Sequence, residues 1–315
     1  MRPRRRLVSL LVATVLTVSV AQVALAADGS GHRSMDAFSI LRPRGQAGPS
    51  ATASLPLTYG GGKVQTTSPR VYISWWGSQW SSGFSTGGYS SAKAQAYVRG
   101  FFGNVGGSSW NAIDTQYCQG VAIGTVNCGT NGVHITNPTG QLAGEWNDTS
   151  KLPRRISQSS IASAAVRLMS HFGYDLNATY FVFTPSGHSM NGFRTQWCAW
   201  HSVTSSGGNQ VAYAYIPYQP DAGGNCGMNF VNATNNSFGN GYFDGFSIVA
   251  GHEYAEAQTD PHPSSGNIAW TDSSGAENAD KCAWSSLSTN IALGSQSYAV
   301  QPIWSNLAGG CATSG

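Results

Sequence analysis

Six cysteines constrain this chain most strongly, because all of them lie after residue 117 of a sequence that begins like an exported protein. An even number of cysteines in an exported chain favours disulfides. Among the possible pairings we favour partners that are close in sequence. These are Cys118 with Cys128, Cys198 with Cys226, and Cys282 with Cys311. The alternative, a thiol nucleophile at Cys198 near His201, requires a reduced sulfur and is disfavoured for that reason.

The first 26 residues have the three parts of a signal peptide. Four arginines (Arg2, Arg4, Arg5 and Arg6) precede an apolar run, and Ala24-Leu25-Ala26 supplies an A-x-A cleavage site. No later run approaches the length of a membrane span. We therefore predict a secreted, extracellular protein with a signal peptide at 1–26.

Charge is scarce in this chain, which is only 10% Asp, Glu, Lys and Arg with a formal net charge of +3. Loss of the signal-peptide arginines brings the mature chain close to neutrality, whereas nucleic-acid binding needs clustered Lys and Arg. The expected partners are extracellular proteins or peptides, or cell-wall polysaccharide. We expect neither nucleic-acid nor membrane binding, and we expect a monomer.

Hydrophobic patterning divides the remaining chain into a leader and one domain. Residues 27–68 are rich in Gly, Pro, Ser and Thr and are predicted to be a flexible leader or pro-segment, with one short strand near 55–59. Residues 69–315 are predicted to form a single globular domain.

Strand and helix patterns alternate within that domain. The predicted strands are 70–77, 178–185, 210–218 and 298–304, and the predicted helices are 90–105, 156–174 and 244–260. For the last helix, Asp244 or Ser247 is the expected N-cap, and Pro261 follows its end. The order predicts an α/β or α+β fold, with a single central sheet and packed helices. Segments 104–150 and 219–242 are predicted to be long loops pinned by disulfides.

The helix pattern at 244–260 carries an unusual concentration of charge. His252 and Glu256 are four residues apart and therefore share one helix face, with Glu253 beside them. This is the H-E-x-x-H zinc pattern with glutamate in place of the second histidine, and zinc accepts carboxylate oxygens. The alternative without a metal site is a helix whose charged residues make ordinary surface or capping contacts.

A second acidic segment, residues 269–284, offers a third ligand in Glu277 or Asp280. Glu277 lies 21 residues after Glu256, a spacing found in zinc peptidases whose third ligand is a following glutamate. One histidine and two carboxylates would leave a zinc position for water, and Glu253 would take a proton from that water. We expect zinc, with calcium or manganese as alternatives because carboxylates suit harder cations.

Other polar and aromatic residues are weaker candidates. His188, His201 and Trp270 are predicted to contact substrate. Four tryptophans could form a sugar-stacking platform, although core or rim packing is the commoner role of such residues; they are Trp75, Trp76, Trp80 and Trp110.

Three segments resemble the Exordium (phosphate-induced protein) family. They are "LPLTYGGGKVQTTSPRVYISWWG", "YFVFTPSGHSMNGFRTQWCAWHSV", and "HEYAEAQTDP" followed by "AWTDSSGAENADKCAW". The last pair is similar to the bacterial branch, which carries H-E-L-A-E-A-x-T-D-P. The resemblance covers roughly residues 55–310 and implies a secreted, disulfide-bearing protein, linked in plants to growth responses, without implying a reaction.

Three hypotheses follow for function. The leading one is a secreted metal-dependent hydrolase, most plausibly a peptidase. The second is a non-catalytic extracellular binding or signalling protein of Exordium type, with a structural carboxylate or calcium site. The third is an acid hydrolase that pairs Glu253 with Glu277 and needs no metal.

Overall fold

A six-stranded mixed sheet lies at the centre of the described residues, which are 39–46, 55–263 and 268–315 of the computed structural model. The strands are β1 Ser39–Leu41, β2 Thr58–Tyr59, β3 Arg70–Trp75, β4 Ser85–Thr86, β5 Tyr89–Ser90, β6 Cys118–Gln119, β7 Val133–His134, β8 Leu142–Trp146, β9 Ala178–Phe183, β10 Ala199–Ser206, β11 Asn209–Ile216, β12 Trp270–Thr271, β13 Thr289–Leu293, β14 Gln296–Val300, β15 Ile303–Ser305 and β16 Gly310–Ala312. The helices are α1 Gln79–Ser82, α2 Ser91–Val105, α3 Ser109–Ala112, α4 Gln158–Phe172 and α5 Asp244–Thr259, with 3-10 segments at Ile113–Gln116, Gln219–Cys226 and Asp280–Cys282.

The sheet has the order β1-β10-β11-β9-β3-β8 and combines parallel and antiparallel pairs. Strands β11, β9, β3 and β8 run parallel, whereas β10 pairs antiparallel with both β11 and β1. Every residue of β9 is buried, as expected for a parallel strand covered on both faces. The mixed α/β class predicted from the sequence is confirmed.

Alternation along β9 assigns the helices to opposite faces of the sheet. Tyr180 stacks on Tyr72, which in turn stacks on Phe172 of α4. Phe181 points the other way and contacts Phe102 of α2 and Tyr254 of α5. Helix α4 therefore covers one face, and α2 and α5 cover the other.

Most predicted elements are present. Helices α2, α4 and α5 correspond to the predicted helices, and β3, β9 and β11 to three of the predicted strands. The N-cap prediction for α5 is wrong, because Phe243 occupies that position and Asp244 is the first helical residue. The Asp244 carboxylate instead accepts backbone N–H donors from Val231, Asn232 and Gly241, which ties the preceding loop to the helix.

The predicted strand 298–304 is divided between β14 and β15. Gln301 and Pro302 separate the two strands. Pro302 lacks an N–H donor, and the Gln301 side-chain amide donates to the carbonyl of Ala279 rather than serving a strand ladder. This break brings a buried glutamine close to the segment that follows Glu277.

Two pieces of the segment expected to be a flexible leader belong to the fold. β1 is the edge strand beside β10, with Leu41 completely buried, and β2 pairs with β12. Leu57 is also completely buried. These isolated apolar residues anchor a segment whose overall composition indicates a loop. The predicted signal peptide, 1–26, lies outside the described residues.

All three predicted disulfides are confirmed, joining Cys118 to Cys128, Cys198 to Cys226, and Cys282 to Cys311. The segment 104–150 is not entirely loop, since β8 within it forms the far edge of the sheet. A second, smaller core lies around Trp270, Tyr59 and Tyr117, and it includes the first disulfide. None of the helices in the described ranges is long and apolar enough to cross a membrane.

Candidate metal centre

Helix α5 is buried around its whole circumference, including its charged residues. All of its residues from Asp244 to Thr259 are buried. His252, Glu253 and Glu256 are each 0% exposed, so their charges lie away from bulk water. A buried charge is tolerated only when it is paired or holds a cation. The surface-helix alternative is therefore wrong, and the polar residues of this helix need partners inside the protein.

Those partners form a cluster of two histidines and five carboxylates, which we call the His/carboxylate cluster. Its members are His201, His252, Glu253, Glu256, Asp260, Glu277 and Asp280. The chain has four glutamates, and three of them lie here. Strand β10 supplies one member, α5 and its end supply four, and the segment before Cys282 supplies two. A charge-poor protein thus concentrates its acidic side chains at one buried place.

One half of the cluster contains the ligands predicted from the sequence. His252 Nε2 lies 2.9 Å from Glu256 Oε1 and 3.6 Å from Asp280 Oδ1. The backbone N–H of Asp280 donates to Glu256 Oε1 at 3.0 Å, which holds the two segments together. One ligand atom from each of these three residues lies within 4.8 Å of the other two. The predicted combination of His252, Glu256 and Asp280 is therefore brought together by the fold.

Gln301 fixes which nitrogen of His252 faces the carboxylates. The Gln301 amide nitrogen donates to the carbonyls of Ala279 and Pro302, so its oxygen is the atom that meets His252 Nδ1 at 3.1 Å. An amide oxygen only accepts, and Nδ1 must therefore carry the proton. In the neutral form of the ring, His252 Nε2 then presents its lone pair to the carboxylates of Glu256 and Asp280. Metal-bound histidines are oriented in this way, with the other ring nitrogen donating to an oxygen.

The separations within this group suit a metal ion. Two ligand atoms that are each about 2.1 Å from zinc lie roughly 3.0 to 3.4 Å apart at angles of about 90° to 109°. The observed separations of 2.9 Å and 3.6 Å bracket that range. Asp280 is the most accessible of the three, with 15% of its side chain exposed. Water or a small group can therefore approach from the side of Asp280.

The other half of the cluster is built around His201 of β10. Its Nδ1 lies 3.3 Å from Glu253 Oε2 and 3.4 Å from Glu256 Oε2, and its Nε2 lies 3.7 Å from Glu277 Oε1. His201, Glu256 and Glu277 form a second group whose ligand atoms lie within 4.8 Å of one another. Glu253 and Glu277 each have one buried oxygen, Oε1, that makes no hydrogen bond within the described residues.

Burial and the two histidines dominate the electrostatics of the cluster. Burial favours a raised pKa for Glu256, but His252 and His201 outweigh it and lower that pKa to about 2. Burial lowers the pKa of His252, and the charges of Glu256, Glu253 and Asp280 reverse the effect and raise it to about 9. A proton on His252 thus takes the place that a cation would occupy between the nitrogen and the carboxylates.

The remaining carboxylates are not neutralised by the histidines. Burial, followed by the charge of Glu256, raises the pKa of Asp280 to about 8. Burial also raises the pKa of Glu277 well above its usual range, against the effect of His201. Burial raises the pKa of Asp260 to about 7. These raised pKa values keep the three carboxyl groups largely protonated near neutral pH when no cation is bound, and a divalent cation bound here would favour their ionised forms and displace those protons.

The three residues predicted to contact substrate have different surroundings. His188 is half-buried, with Nε2 3.3 Å from the Gln79 amide. Trp270 is 0% exposed and donates its indole N–H to the Cys118 carbonyl, so it packs in the second core rather than at a surface. His201 belongs to the His/carboxylate cluster itself. The four tryptophans of the possible sugar-stacking platform are all buried core residues.

Sequence reasoning missed His201 as a cluster member and Gln301 as its organiser. His201 is 52 residues from Glu253, and only the packing of β10 against α5 joins them. The one available signal was its position next to Trp200, because alternation puts the two side chains on opposite faces of β10. One further group of possible metal ligands contains Cys118, Cys128 and His134. It offers no thiolate, because the two cysteines form a disulfide.

Comparison of the chain with models of known families, with characterised proteins and with solved structures gives no match.

Proposed function

We propose that this protein is a secreted metal-dependent hydrolase that acts on extracellular proteins or peptides. The cation, for which zinc is the first choice, is held by His252 Nε2, Glu256 Oε1 and Asp280 Oδ1. The observation that carries the proposal is the buried Nε2 of His252, which the contact of Nδ1 with Gln301 directs at two carboxylate oxygens. Without a cation or a proton, that arrangement would place three electron-rich atoms together in a buried site.

Glu253 is the proposed general base. It follows His252 directly on α5, is completely buried, and keeps one oxygen without a hydrogen bond in the described structure. Burial raises its pKa, while His201 opposes that effect. A carboxylate with a raised pKa accepts a proton from water more readily near neutral pH.

The proposed reaction is hydrolysis of an amide. The water oxygen forms a bond to the carbonyl carbon, and its proton passes to Glu253. The carbon–nitrogen bond then breaks, and the proton held by Glu253 is transferred to the leaving nitrogen. The metal, when bound, polarises the carbonyl and lowers the pKa of the attacking water.

The test begins with metal analysis of the protein purified from culture medium, followed by assays on casein and a peptide panel. We expect bound zinc, loss of activity on treatment with 1,10-phenanthroline, and recovery when zinc is restored. Glu253→Gln should retain zinc and lose about 100-fold or more in activity, the usual range for a general base. The matched control is Glu145→Gln, because Glu145 is the one glutamate outside the cluster and pairs with Arg99.

The outcomes separate the proposal from its competitors. Metal-free protein with undiminished activity would contradict it. Activity that survives chelation and peaks at acidic pH would instead favour the pairing of Glu253 with Glu277. Equal losses in Glu253→Gln and Glu145→Gln would indicate a general effect on folding rather than catalysis.

The complete burial of His252, Glu253 and Glu256 favours a second candidate, a structural cation site in a non-catalytic extracellular binding or signalling protein. The cation, which could be calcium, would then hold the 249–282 region together. A large rise in melting temperature with calcium, without hydrolysis across the substrate panel, would favour this function. Hydrolysis that depends on Glu253 would contradict it.

A further inference from the structure

Glu256 faces a different histidine with each of its two oxygens. Oε1 lies 2.9 Å from His252 Nε2, and Oε2 lies 3.4 Å from His201 Nδ1. The two histidines come from different elements: His252 belongs to α5, and His201 belongs to β10. A carboxylate between two potential metal ligands is arranged as a bridge, with one oxygen available for each of two cations.

His201 presents Nδ1 to Glu253 and Glu256 for the same reason that His252 presents Nε2 to its carboxylates. Its Nε2 lies 3.2 Å from the backbone carbonyl of Asp260, which can only accept a hydrogen bond. A proton on Nε2 leaves the lone pair on Nδ1, which lies 3.3 Å from Glu253 Oε2 and 3.4 Å from Glu256 Oε2. The backbone carbonyl of Asp260 thus plays the part for His201 that the Gln301 oxygen plays for His252.

Glu277 completes this second group. It is 3% exposed, and its Oε1 lies 3.7 Å from His201 Nε2 and makes no hydrogen bond within the described residues. Its ligand atom lies within 4.8 Å of those of His201 and Glu256. A buried carboxylate oxygen aimed at a histidine without a hydrogen bond is expensive unless a cation shares the site.

We propose that the protein binds two divalent cations, with the second held by His201, Glu256 and Glu277 and bridged to the first through the Glu256 carboxylate. This inference rests on the proposed function for the first position and deepens it. Two cations bridged in this way lie about 3.5 to 4 Å apart in two-metal hydrolases. The second cation would stabilise the oxygen that gains charge during hydrolysis, while the first activates the water. Carboxylate-rich ligation with one imidazole each suits zinc or manganese.

The experiment measures metal stoichiometry in the secreted chain, and its readout does not require a substrate. After chelation and dialysis, zinc is titrated back by calorimetry, and the loaded protein is analysed by mass spectrometry for zinc content. We expect two equivalents in the wild-type chain, and one in His201→Phe and in Glu277→Gln. His252→Phe should also retain one equivalent. Glu145→Gln is the control and should bind two.

Loading with manganese gives a second readout. Two bridged manganese ions should give the broadened electron paramagnetic resonance spectrum of an exchange-coupled pair. His201→Phe should restore the six-line spectrum of isolated manganese. If His201→Phe does not fold, as judged by circular dichroism, the wild-type stoichiometry and spectrum together with Glu277→Gln decide the question.

The result that overturns the second site differs from the result that overturns the proposed function. One equivalent of metal that survives His201→Phe and disappears in His252→Phe would remove the second cation and leave the first in place. Absence of zinc and manganese binding in the wild-type chain would remove both proposals.

Discussion

Glu256 has a larger role in the cluster than its place in the H-E-x-x-E motif indicates. It contacts both histidines, and it accepts the Asp280 N–H that brings the following acidic segment to α5. Its pKa is lowered to about 2 although burial alone would raise it. At the scale of single residues, Glu256 is therefore the side chain whose replacement distinguishes a metal ligand from a structural acceptor.

Glu256→Ala and Glu256→His should differ in their effect on metal binding. Alanine removes both carboxylate oxygens, and we expect a loss of about tenfold or more in zinc affinity. Even the loss of a residue that only hydrogen-bonds to a metal ligand lowers metal affinity by about that much. Histidine recreates H-E-x-x-H with His252, so it should retain one zinc ion but lose the bridge to His201. Zinc titration of both variants measures the difference.

The contrary outcomes for these variants are equally specific. Unchanged zinc binding in Glu256→Ala would remove Glu256 from the ligand set. Strong destabilisation by histidine without any change in metal binding would mean that Glu256 is a buried hydrogen-bond acceptor for Asp280. Thermal unfolding in the presence of chelator separates that case from loss of the metal.

The motif on α5 predicted part of the cluster because helical spacing is a local property. His252 and Glu256 share a face because residues four apart on a helix do so, and Asp280 belongs to the acidic segment that follows in the sequence. His201 could not be assigned from the sequence, because its contact with α5 depends on the pairing and packing of β10. Trp270, which the sequence predicts to contact substrate, has a large apolar side chain and packs in the second core.

At the scale of elements, α5 depends on close contacts as well as on its polar residues. Gly245 lies in its first turn, and a Cβ there would clash with the backbone carbonyl of Cys226. That carbonyl belongs to a residue fixed by the disulfide to Cys198. The absence of a side chain at Gly245 thus allows the helix that carries the cluster to pack against the 3-10 segment Gln219–Cys226.

Gly245→Ala should therefore destabilise the protein although alanine favours helices. We expect a net loss of about 1 to 3 kcal/mol, the usual cost of overpacking a core. The matched control is Gly103→Ala in α2, where a Cβ would meet no atom within 4 Å and should stabilise by about 0.5 to 1 kcal/mol. Urea denaturation of both variants gives the comparison. A gain in stability from Gly245→Ala would show that the loop can shift.

The elements that the sequence predicted are those with a strong local pattern. Helices α2, α4 and α5 and strand β9 have continuous apolar or helical periodicity. Strands β1 and β8 were not predicted as parts of the sheet, because each is short and owes its strand conformation to a neighbour, β10 and β3 respectively. The division of 298–304 into two strands reflects the buried contacts of Gln301, which are tertiary.

At the scale of the whole molecule, the described residues form one compact unit in which three disulfides tie the loops to the cores. Such cross-links stabilise the fold by reducing the conformational entropy of the unfolded chain, and they do not change the protonation of buried groups. Sensitivity to acid should therefore come from buried titratable side chains, which the disulfides leave unprotected. His262, just beyond α5, is one such side chain outside the proposed metal ligands.

His262 should make the protein less stable as the pH falls from about 6.5 to about 4. It is 2% exposed, its Nδ1 has no hydrogen-bond partner within the described residues, and burial followed by the charge of Lys63 lowers its pKa to about 4. The unfolded chain, with an ordinary histidine pKa of about 6.5, then binds the proton first, so the stability present above pH 6.5 is lost as the pH falls through this window. The loss attributable to His262 is at most about 3 kcal/mol, reached below pH 4. Urea denaturation at pH 7 and pH 4.5, with chelator present, should show a smaller pH difference for His262→Gln than for the wild-type chain. Equal pH differences in the two proteins would mean that His262 is hydrated or hydrogen-bonded when protonated and does not govern acid stability.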